Sequence, residues 1–400
     1  MEIEEAVSSL EKNILPVAEA EDCPLCESFS RIVFEDIYAS ENVPPFAKSA
    51  MDGYAVRAED VFGATKENPV LLDVSGELFA GSWENISYKK NSAVRVMTGS
   101  PVPEGFDSVV MQENTDYGEK KVLVYKPVMA GQNYCAVGED IKKGKLVIPK
   151  GRKIGRAELG LLSSLGLSSV KVRRKARVAI LCTGSELSEP KTPLLPGKIY
   201  SSIGAMLSCS VKNIGLCVSK EKILADDEDI ILNELKNSLS DSDFIITTGG
   251  ISVGKKDLLP CVLKNLGAKK LFSGVNIQPG TPTTVSLANK KIILSLSGNP
   301  YAALANFDIY FYHAAACLMQ SDSLLPKKMS AELFDDYSKV NRLRRFVRAR
   351  ISGSKVYLPS ENHASSVISN LCDCNCYIDV PSGTKISKGD IVQVWIMGPA

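Results

Sequence analysis

The fold is decided by Asp243-Phe-Ile-Ile-Thr-Thr-Gly-Gly-Ile-Ser-Val-Gly254, an apolar β-branched run followed by a glycine-rich loop. A second stretch, Ile292-Ile-Leu-Ser-Leu-Ser-Gly-Asn-Pro300, has the same order and precedes a long apolar helix pattern. α/β proteins bind anionic groups with such units, because glycine lets the backbone approach closely and the helix N-terminus offers N–H groups. Both stretches therefore predict a phosphate-bearing ligand.

Outward from these stretches, residues 176–320 alternate between strand and helix patterns. The predicted strands are Arg177–Leu181, Asn213–Val218 and Phe244–Thr247, with a hairpin of Thr283–Leu287 and Ile292–Leu296. The predicted helices follow Ser201, span 227–239, begin at Leu258 and span Ala302–Met319. This alternation is typical of a doubly wound parallel sheet, whose ligands bind at the carboxyl ends of the strands.

Three loops are expected to meet at that edge of the sheet, namely Thr183–Glu186, Thr247–Gly254 and Ser297–Pro300. Their hydroxyl and N–H groups suit a phosphate, and each helix-end contact contributes about 0.3–1 kcal/mol. A single glycine loop also makes an ordinary tight turn. The predicted ligand site therefore depends on three such loops at successive strands of one sheet.

The flanking segments have different patterns. Short alternating runs broken by Gly, Asn and Pro predict a small β domain within residues 70–138. Similar runs after Leu324 predict a small β-barrel or sandwich. Near the N-terminus, Val7, Leu10 and Ile14 have helical spacing and predict an amphipathic helix.

The composition restricts the class of protein. With 400 residues, 44% hydrophobic, 23% charged and a net charge of +1, the chain is expected to form two to four globular domains and to bind neither nucleic acid nor a membrane. The acidic N-terminus lacks the pattern of a signal peptide, which predicts a cytoplasmic protein. The 11 cysteines are interpreted as reduced thiols, and the 2 histidines leave most proton chemistry to carboxylates and lysines.

Carboxylates beside the predicted phosphate loops suggest a divalent cation. Those within the α/β region are Glu186, Asp226, Asp227 and Asp257. Two others, Asp52 and Asp140, occur in glycine-flanked strings outside it. Magnesium is held by one or two carboxylates together with substrate phosphates, so the pattern favours Mg²⁺ as the cofactor.

One other interpretation of the first loop is an α/β-hydrolase. Gly250-Ile-Ser-Val-Gly254 matches the nucleophile elbow, with Ser252 as the nucleophile. That alternative needs a downstream histidine, but His313 lies in an apolar helix pattern and His363 in the C-terminal β region. An upstream HGGG-type oxyanion string is also lacking, so the hydrolase is disfavoured.

Seven strings in order resemble one known family. They are PPFAKSAMDGYAV (44–56), VRVMTGSPVPEGFDSVV (94–110), VGEDI (137–141), CTGSEL (182–187), TTGGISVG (247–254), PGTP (279–282) and SGNP (297–300). Together they closely resemble the molybdopterin molybdenumtransferases, the molybdenum insertases that include MoeA and the gephyrin E domain. The resemblance extends over nearly the whole chain.

The resemblance implies an α/β plus β architecture of four domains and a homodimer. The implied domains are a discontinuous helical and linker domain at 1–43 and 141–174, a β lid at 44–140, a doubly wound molybdopterin-binding domain at 175–322 and a β-barrel at 323–400. The active cleft would lie between the α/β domain of one protomer and the lid of the other. Asp52 and Thr98 would then act on the partner's substrate.

The implied reaction combines adenylylated molybdopterin with molybdate, cleaves the adenylate and releases molybdenum cofactor and AMP. By motif match, the catalytic residues would be Asp52, Thr98, Asp140, Glu186 and Asp257. The metal would be bound by Glu186, Asp226 or Asp227, and Asp257. The substrate-binding residues would be Gly184, Ser185, Thr248, Gly249, Gly250, Ser252, Gly254, Pro279, Gly280, Ser297, Gly298, Asn299 and Pro300. Arg348 and Ser365 would contact molybdate.

The chain also departs from the family pattern. Gln278 and Thr281 stand where the family commonly has lysines, and Lys255 stands where it has an acidic residue. Two lost contacts to charged groups, at about 1.5–3 kcal/mol each, would weaken oxyanion binding by about two to four orders of magnitude. We therefore expect Lys255 and Lys256 to replace the charge, with molybdate affinity of Lys255→Glu and Lys256→Glu as the measurement. The alternative is a divergent paralogue that carries molybdopterin or serves as a scaffold.

Overall fold

The computed structural model describes residues 1–251, 258–359 and 364–398. Some predicted site residues lie outside these ranges: Ser252, Gly254, Lys255, Lys256 and Asp257. The chain forms two compact units. The first contains Met1–Glu35, Lys150–Gly155 and Ser169–Ala400, and the second contains Asp36–Pro149 and Arg156–Ser168.

The helices, numbered along the chain, are α1 (Ile3–Glu11), α2 (Arg156–Ser164), α3 (Ile203–Asn213), α4 (Glu228–Asp241), α5 (Leu259–Asn265) and α6 (Pro300–Met319). Short 3-10 turns occur at Leu25–Glu27, Ala58–Val61, Gln112–Asn114, Asp322–Leu324 and Ser369–Asp373.

The strands up to residue 175 are β1 (Ala20–Pro24), β2 (Ile37–Tyr38), β3 (Lys48–Ser49), β4 (Gly53–Val56), β5 (Val70–Leu78), β6 (Ser92–Val96), β7 (Ser108–Met111), β8 (Lys121–Val124), β9 (Tyr134–Cys135), β10 (Leu146–Ile148) and β11 (Ser169–Arg173). Those of the α/β region are β12 (Arg177–Thr183), β13 (Leu187–Ser188), β14 (Ile199–Tyr200), β15 (Cys217–Leu224), β16 (Phe244–Thr248), β17 (Lys269–Ser273), β18 (Ile277–Gln278), β19 (Thr284–Ala288) and β20 (Lys291–Leu296). The last are β21 (Lys328–Leu333), β22 (Arg344–Ser352), β23 (Lys355–Tyr357), β24 (Cys376–Val380) and β25 (Ile391–Ile396).

The first unit is organised around a sheet with the strand order β15-β12-β16-β20-β19-β17. Its first four strands are parallel, and the predicted hairpin forms the antiparallel pair β19 and β20. The strand predicted at Asn213–Val218 begins later, at Cys217, because α3 continues to Asn213 and Gly215 makes the turn with a φ of +82°. The sheet is therefore mixed, with a parallel centre and one antiparallel edge.

Helices cover both faces of this sheet, as its alternating apolar side chains require. On one face Val178 and Ile180 of β12 pack in the cluster that contains α1, α3 and α6. On the other face Ala179 and Leu181 pack in the cluster that contains α4 and α5. Helix α6 is apolar on nearly every side and is buried over most of its length.

The C-terminal strands of the first unit close into a barrel. β22, β23, β21, β25 and β24 are neighbours in that order, and β22 also pairs with β24. The barrel has its own apolar core, which includes Val347, Ile378 and Val394. Strand β18 pairs in parallel with the start of β22, and this pairing connects the barrel to the α/β region. The predicted α/β plus β fold class with a C-terminal barrel is confirmed by these elements.

The second unit is mainly β structure. Its sheet has the strand order β7-β4-β6-β5-β8, and two small sheets pair β2 with β10 and β3 with β9. Helix α2 packs in a separate small cluster through Leu161, and Leu165 joins this cluster just beyond the end of the helix. The division of the chain into four domains stays a prediction. A bilayer-crossing helix, which needs about 20 apolar residues, is not found among the described residues.

Candidate ligand site

A cavity of about 720 Å³ lies at the carboxyl ends of β12, β15, β16 and β20. Its volume is in the range of small-molecule sites, about 300–1,000 Å³. Many of the residues predicted to bind substrate or metal line it together: Gly184, Glu186, Asp226, Gly249, Gly250, Pro279, Gly280, Ser297, Gly298, Asn299 and Ser365. The structure thus brings together the three loops that the sequence predicted to converge.

The short distance between the loop after β12 and the loop after β16 depends on Gly249. Its φ is +88°, and a Cβ atom at this position would lie 2.3 Å from the carbonyl oxygen of Thr183. The Thr183 hydroxyl donates to the carbonyl of Thr248 at 3.1 Å, and the Gly249 N–H donates to the carbonyl of Leu296 at 3.1 Å. Only glycine fits this conformation without displacing the backbone of β12.

The third loop leads into α6, which begins at Pro300. Ser297, Gly298 and Asn299 line the cavity immediately before this helix, so the positive end of its dipole is directed at the ligand space. Two other predicted residues, Thr248 and Pro300, line a smaller cavity of about 60 Å³, which shares Gly298 with the larger one. The arrangement suits a ligand that carries negative charge.

Two carboxylates, Glu186 and Asp226, form an acidic edge of the cavity. The Asp226 carboxylate accepts a hydrogen bond of 2.8 Å from the Ser185 N–H, which explains the place of Ser185 beside the cavity. The Glu186 carboxylate folds over Gly184, where a Cβ atom would lie 2.8 Å from both of its oxygens. The Lys198 ammonium donates to the Ser185 carbonyl and adds a cation that the sequence analysis did not identify.

Asp227 has a different role from its neighbour Asp226. It is the N-cap of α4, and its carboxylate accepts a hydrogen bond of 2.9 Å from the Ile230 N–H. The structure therefore places Asp226, not Asp227, at the cavity. Within the described residues, three or more metal-ligating side chains do not cluster anywhere. A divalent cation at this edge would need ligand oxygens from the substrate as well.

Asn306 of α6 holds the loop of Pro279 and Gly280 in place. The Asn306 amide donates to the carbonyls of Pro279 at 2.9 Å and Ala302 at 2.8 Å. Gly280 has a φ of +94°, and a Cβ atom there would lie 1.7 Å from the amide nitrogen of Asn306. The loop of Pro279 and Gly280 is therefore fixed by a fully buried polar side chain.

Arg348, predicted to contact molybdate, does not line the cavity. It is fully buried, and its guanidinium donates to the carbonyls of Ala364 at 2.8 Å and Val367 at 2.5 Å. Its side chain also lies over the ring of Tyr301, 4.2 Å from the centroid. Arg348 thus fixes the segment that carries Ser365, while Ser365 itself lines the cavity.

The cation that does line the cavity in this region is Arg345. Sequence reasoning missed it because its position comes from the pairing of β18 with β22, in which Gln278 lies opposite Arg345. The only signal in the sequence is the basic run Arg342–Arg350, and nothing local separates its members. Thr183, Gln278, Thr281 and Tyr301 also line the cavity.

The other three predicted catalytic residues belong to the second unit. Asp52 accepts hydrogen bonds from the Thr98 N–H at 2.7 Å and from the Thr98 hydroxyl at 2.8 Å. These bonds hold the pKa of the Asp52 carboxyl below its ordinary value, the backbone bond having the larger effect. Asp140 is exposed on a turn, where its N–H donates to the Val43 carbonyl at 3.1 Å.

Comparison with known families matches most of the chain. Residues 1–166 match the MoeA N-terminal region (domain I and II), residues 179–315 match a probable molybdopterin binding domain, and residues 330–397 match the MoeA C-terminal region (domain IV). The fold and the cavity at the strand ends therefore define an α/β protein of the molybdopterin-binding class.

Relatives that match nearly the full length of the chain identify the family. A molybdopterin molybdenumtransferase of Staphylococcus epidermidis is 37% identical over 98% of this chain and 94% of the relative, and one of Bacillus subtilis is 36% identical over 95% and 90%. The crystal structure of the molybdopterin biosynthesis moeA protein of Pyrococcus horikoshii covers 99% of both chains with a TM-score of 0.86 and 30% identity. The chain belongs to the MoeA family of molybdopterin molybdenumtransferases, and the predicted family is confirmed.

Proposed function

We propose that this chain inserts molybdenum from molybdate into adenylylated molybdopterin and releases AMP. The predicted role in molybdenum cofactor biosynthesis by molybdenum insertion is confirmed by the family, and the non-inserting carrier is not favoured. The observation that carries the proposal is the single cavity of about 720 Å³ in which glycine loops, a helix N-terminus and two carboxylates meet. The adenylylated form of the substrate and the use of molybdate belong to the proposal.

Different residues of the cavity bind the substrate and promote its cleavage. N–H groups of the glycine loops and the α6 N-terminus neutralise phosphate oxygens, and Ser297 offers a hydroxyl group. Glu186 and Asp226 lie at the acidic edge, where a carboxylate orients water for attack on the phosphoanhydride. Cleavage then leaves AMP and the pterin phosphate as separate products.

We include Mg²⁺ in this proposal because the acidic edge fits it. Glu186 and Asp226 supply two carboxylates, and the phosphate oxygens of the substrate would supply further hard ligands. When bound, the ion neutralises charge that develops on the leaving phosphate. Asp257 stays a predicted ligand outside the described residues.

Homodimer formation and a cytoplasmic location are also part of the proposal. Asp52, Thr98 and Asp140 match the family's lid motifs, and the resemblance supports their action on the substrate of a second copy. The Asp52 carboxylate is prepared for such a role, since its hydrogen bonds with Thr98 favour the ionised form. Equilibrium sedimentation of the full chain tests the dimer directly.

The decisive experiment measures AMP release and cofactor formation from adenylylated molybdopterin, with and without molybdate. An insertase releases AMP together with molybdenum cofactor only when molybdate is present. AMP release that ignores molybdate would identify an adenylate hydrolase, and binding without release would identify a carrier. Asp226→Asn is the test variant, and Asp227→Asn serves as the matched control because the adjacent carboxylate caps α4 instead of facing the cavity.

A further inference from the structure

A second cavity, of about 560 Å³, lies between α5 and the antiparallel strands β17 and β19, and we call it the α5 groove. Its apolar wall includes Leu259 and Leu263 of the helix, and its strand side carries hydroxyl groups. Among the described residues, only Ile251 lines both this groove and the cavity at the strand ends. The α5 groove is therefore a separate cavity.

The strand side of the groove is polar because the two faces of β19 differ. Val285 of β19 packs in the apolar cluster that contains α1 and α6. Successive side chains of a strand alternate between its faces, so Thr284 and Ser286 lie on the opposite face, toward α5. Both line the groove. The sequence of β19 thus places hydroxyl groups where α5 does not cover the sheet completely.

The strongest observation in favour of a ligand is at Ser286. Its side chain lines the groove, although the residue is only 2% exposed. The hydroxyl groups of Ser273 and Thr284 are paired with each other at 2.8 Å, whereas the Ser286 hydroxyl has no hydrogen-bond partner within the described ranges. A buried hydroxyl group without a partner costs free energy, which a bound molecule with a polar atom recovers.

The groove also carries positive charge without a counter-charge. Lys264 and Lys270 line it and are exposed. None of the described residues that line it has a carboxylate, and neither lysine forms an ion pair with a described residue. The two ammonium groups therefore attract an anion, while the apolar wall on α5 accepts an apolar body.

We propose that the α5 groove binds a small amphipathic anion, which packs a ring or a short chain against Leu259 and Leu263. The acid group of this anion lies near Lys264 and Lys270, and a polar atom of the same molecule hydrogen-bonds the Ser286 hydroxyl. The volume of the groove, about 560 Å³, is within the range of small-molecule sites, about 300–1,000 Å³. This site is additional to the substrate site of the proposed function and does not depend on it.

The test is fluorescence titration of the full chain with two probes that have nearly the same rings. Anilinonaphthalene sulfonate carries an acid group, and N-phenylnaphthylamine is uncharged. We expect Lys270→Gln to weaken binding of the sulfonate probe by about three- to fivefold, because an exposed charge pair is lost, and to leave the uncharged probe within about twofold of wild type. Lys269→Gln is the matched control, since this exposed neighbour on β17 does not line the groove.

A second variant tests the buried hydroxyl group. Ser286→Ala removes it and should weaken both probes by about two- to tenfold, because both carry an N–H group that the hydroxyl can accept. Ser238→Ala is its control: this hydroxyl on α4 is also buried without a partner among the described residues, but it lies outside the groove. Circular dichroism and the Tm of each variant check that the fold is retained.

The outcomes separate this inference from the proposed function. Sulfonate binding that is absent, or unchanged in folded Lys270→Gln and Ser286→Ala, overturns the inference. A parallel loss of molybdopterin affinity in Lys270→Gln also overturns it, because the groove would then be part of the substrate site. If the probes respond as expected while wild type inserts no molybdenum, the proposed function fails and the α5 groove remains a ligand site.

Discussion

The cavity of the first unit and the Asp52–Thr98 pair of the second unit are built in different ways. The cavity needs segments from residue 183 to residue 365, and backbone conformation at glycines holds them together. The pair consists of two residues 46 positions apart, joined by two hydrogen bonds to one carboxylate oxygen. A substitution in the cavity should therefore act by displacing its backbone. A substitution in the pair should instead act by changing the pKa of Asp52.

The largest effect that would test this contrast is expected for Gly249→Ala. The positive φ costs about 1–2 kcal/mol for any other residue, and the contact of 2.3 Å with the Thr183 carbonyl adds about 1–3 kcal/mol. Gly267→Ala is the matched control, because its φ is +73° but a Cβ atom there meets open space. Chemical denaturation and molybdopterin titration measure both variants. Equal losses of stability would contradict the role of the Thr183 contact.

A second effect concerns pH. Asp308 on α6 is buried and accepts a hydrogen bond of 2.7 Å from the Tyr377 hydroxyl. Burial raises the pKa of Asp308 to about 7, although this hydrogen bond acts in the opposite direction. The folded state therefore holds a proton that the unfolded chain releases near pH 4, so the free energy of unfolding falls as pH rises from about 4 to 7 and is then constant.

Asp308→Asn should abolish this fall, which amounts to about 2–3 kcal/mol between pH 5 and 8. Urea denaturation at the two pH values measures it. Asp229→Asn, at an exposed position on α4, should keep the wild-type profile. An unchanged pH dependence in Asp308→Asn would show that another group titrates.

A third effect comes from the contact between α6 and the barrel. The Tyr301 hydroxyl donates to the Phe346 carbonyl at 2.5 Å and accepts from the Arg348 N–H at 2.9 Å. Tyr301→Phe removes both of these hydrogen bonds and should cost about 1–2 kcal/mol. Tyr310→Phe removes the same atom from the same helix, but this hydroxyl is buried without a hydrogen-bond partner among the described residues.

The effects of the two tyrosine variants on the free energy of unfolding should differ in sign as well as in size. Tyr310→Phe should leave the free energy of unfolding unchanged or raise it slightly, since an unpaired buried hydroxyl is removed. Calorimetric unfolding of both variants at one pH gives the comparison. A loss in Tyr310→Phe equal to that in Tyr301→Phe would mean that ring packing, not hydrogen bonding, holds the barrel to α6.

The smallest change in stability is expected for Thr98→Val in the second unit. This variant removes the hydroxyl donor and keeps the backbone donor, so the pKa of Asp52 should rise toward its ordinary value. A low pKa keeps Asp52 ionised, and activity that needs the carboxylate is lost as pH falls through it. The acid limb of the pH–rate profile should therefore move to higher pH.

Thr98→Ser is the control for this variant, because it keeps the hydroxyl group. Its acid limb should match wild type, and the Tm of both variants should stay within about 2 °C of wild type. Identical acid limbs for the valine and serine variants would show that the Thr98 hydroxyl does not lower the pKa of Asp52.

The sequence predicted the loops of the cavity because their information is local. Apolar runs of β-branched residues before Gly249 and Gly298 identify parallel strands, and the carboxyl ends of parallel strands necessarily share one edge. The hairpin and α6 were predicted by the same kind of pattern. Local information did not distinguish Asp226 from Asp227, because the choice depends on where the first turn of α4 begins.

The environments of Arg345 and Arg348 could not be predicted from the sequence. Both lie on β22, and the resemblance to the family selected Arg348. Their environments depend on the pairing of β18 with β22 and on the packing of Tyr301 against the barrel, and both are contacts between distant parts of the chain. Asp52 was noted from its glycine-flanked string, but its catalytic role and the choice of Thr98 were predicted by resemblance alone, since no periodicity or spacing connects residues 46 positions apart.

The pairing of β18 with β22 has a consequence for chimaeras made between this chain and its relatives. Arg345 lines the cavity because Gln278 lies opposite it in this register. A hybrid with a foreign barrel would therefore have to keep the same two-residue pairing. A slip by one residue would turn the side chain at position 345 to the other face of the sheet and change the charge of the cavity without any substitution in it.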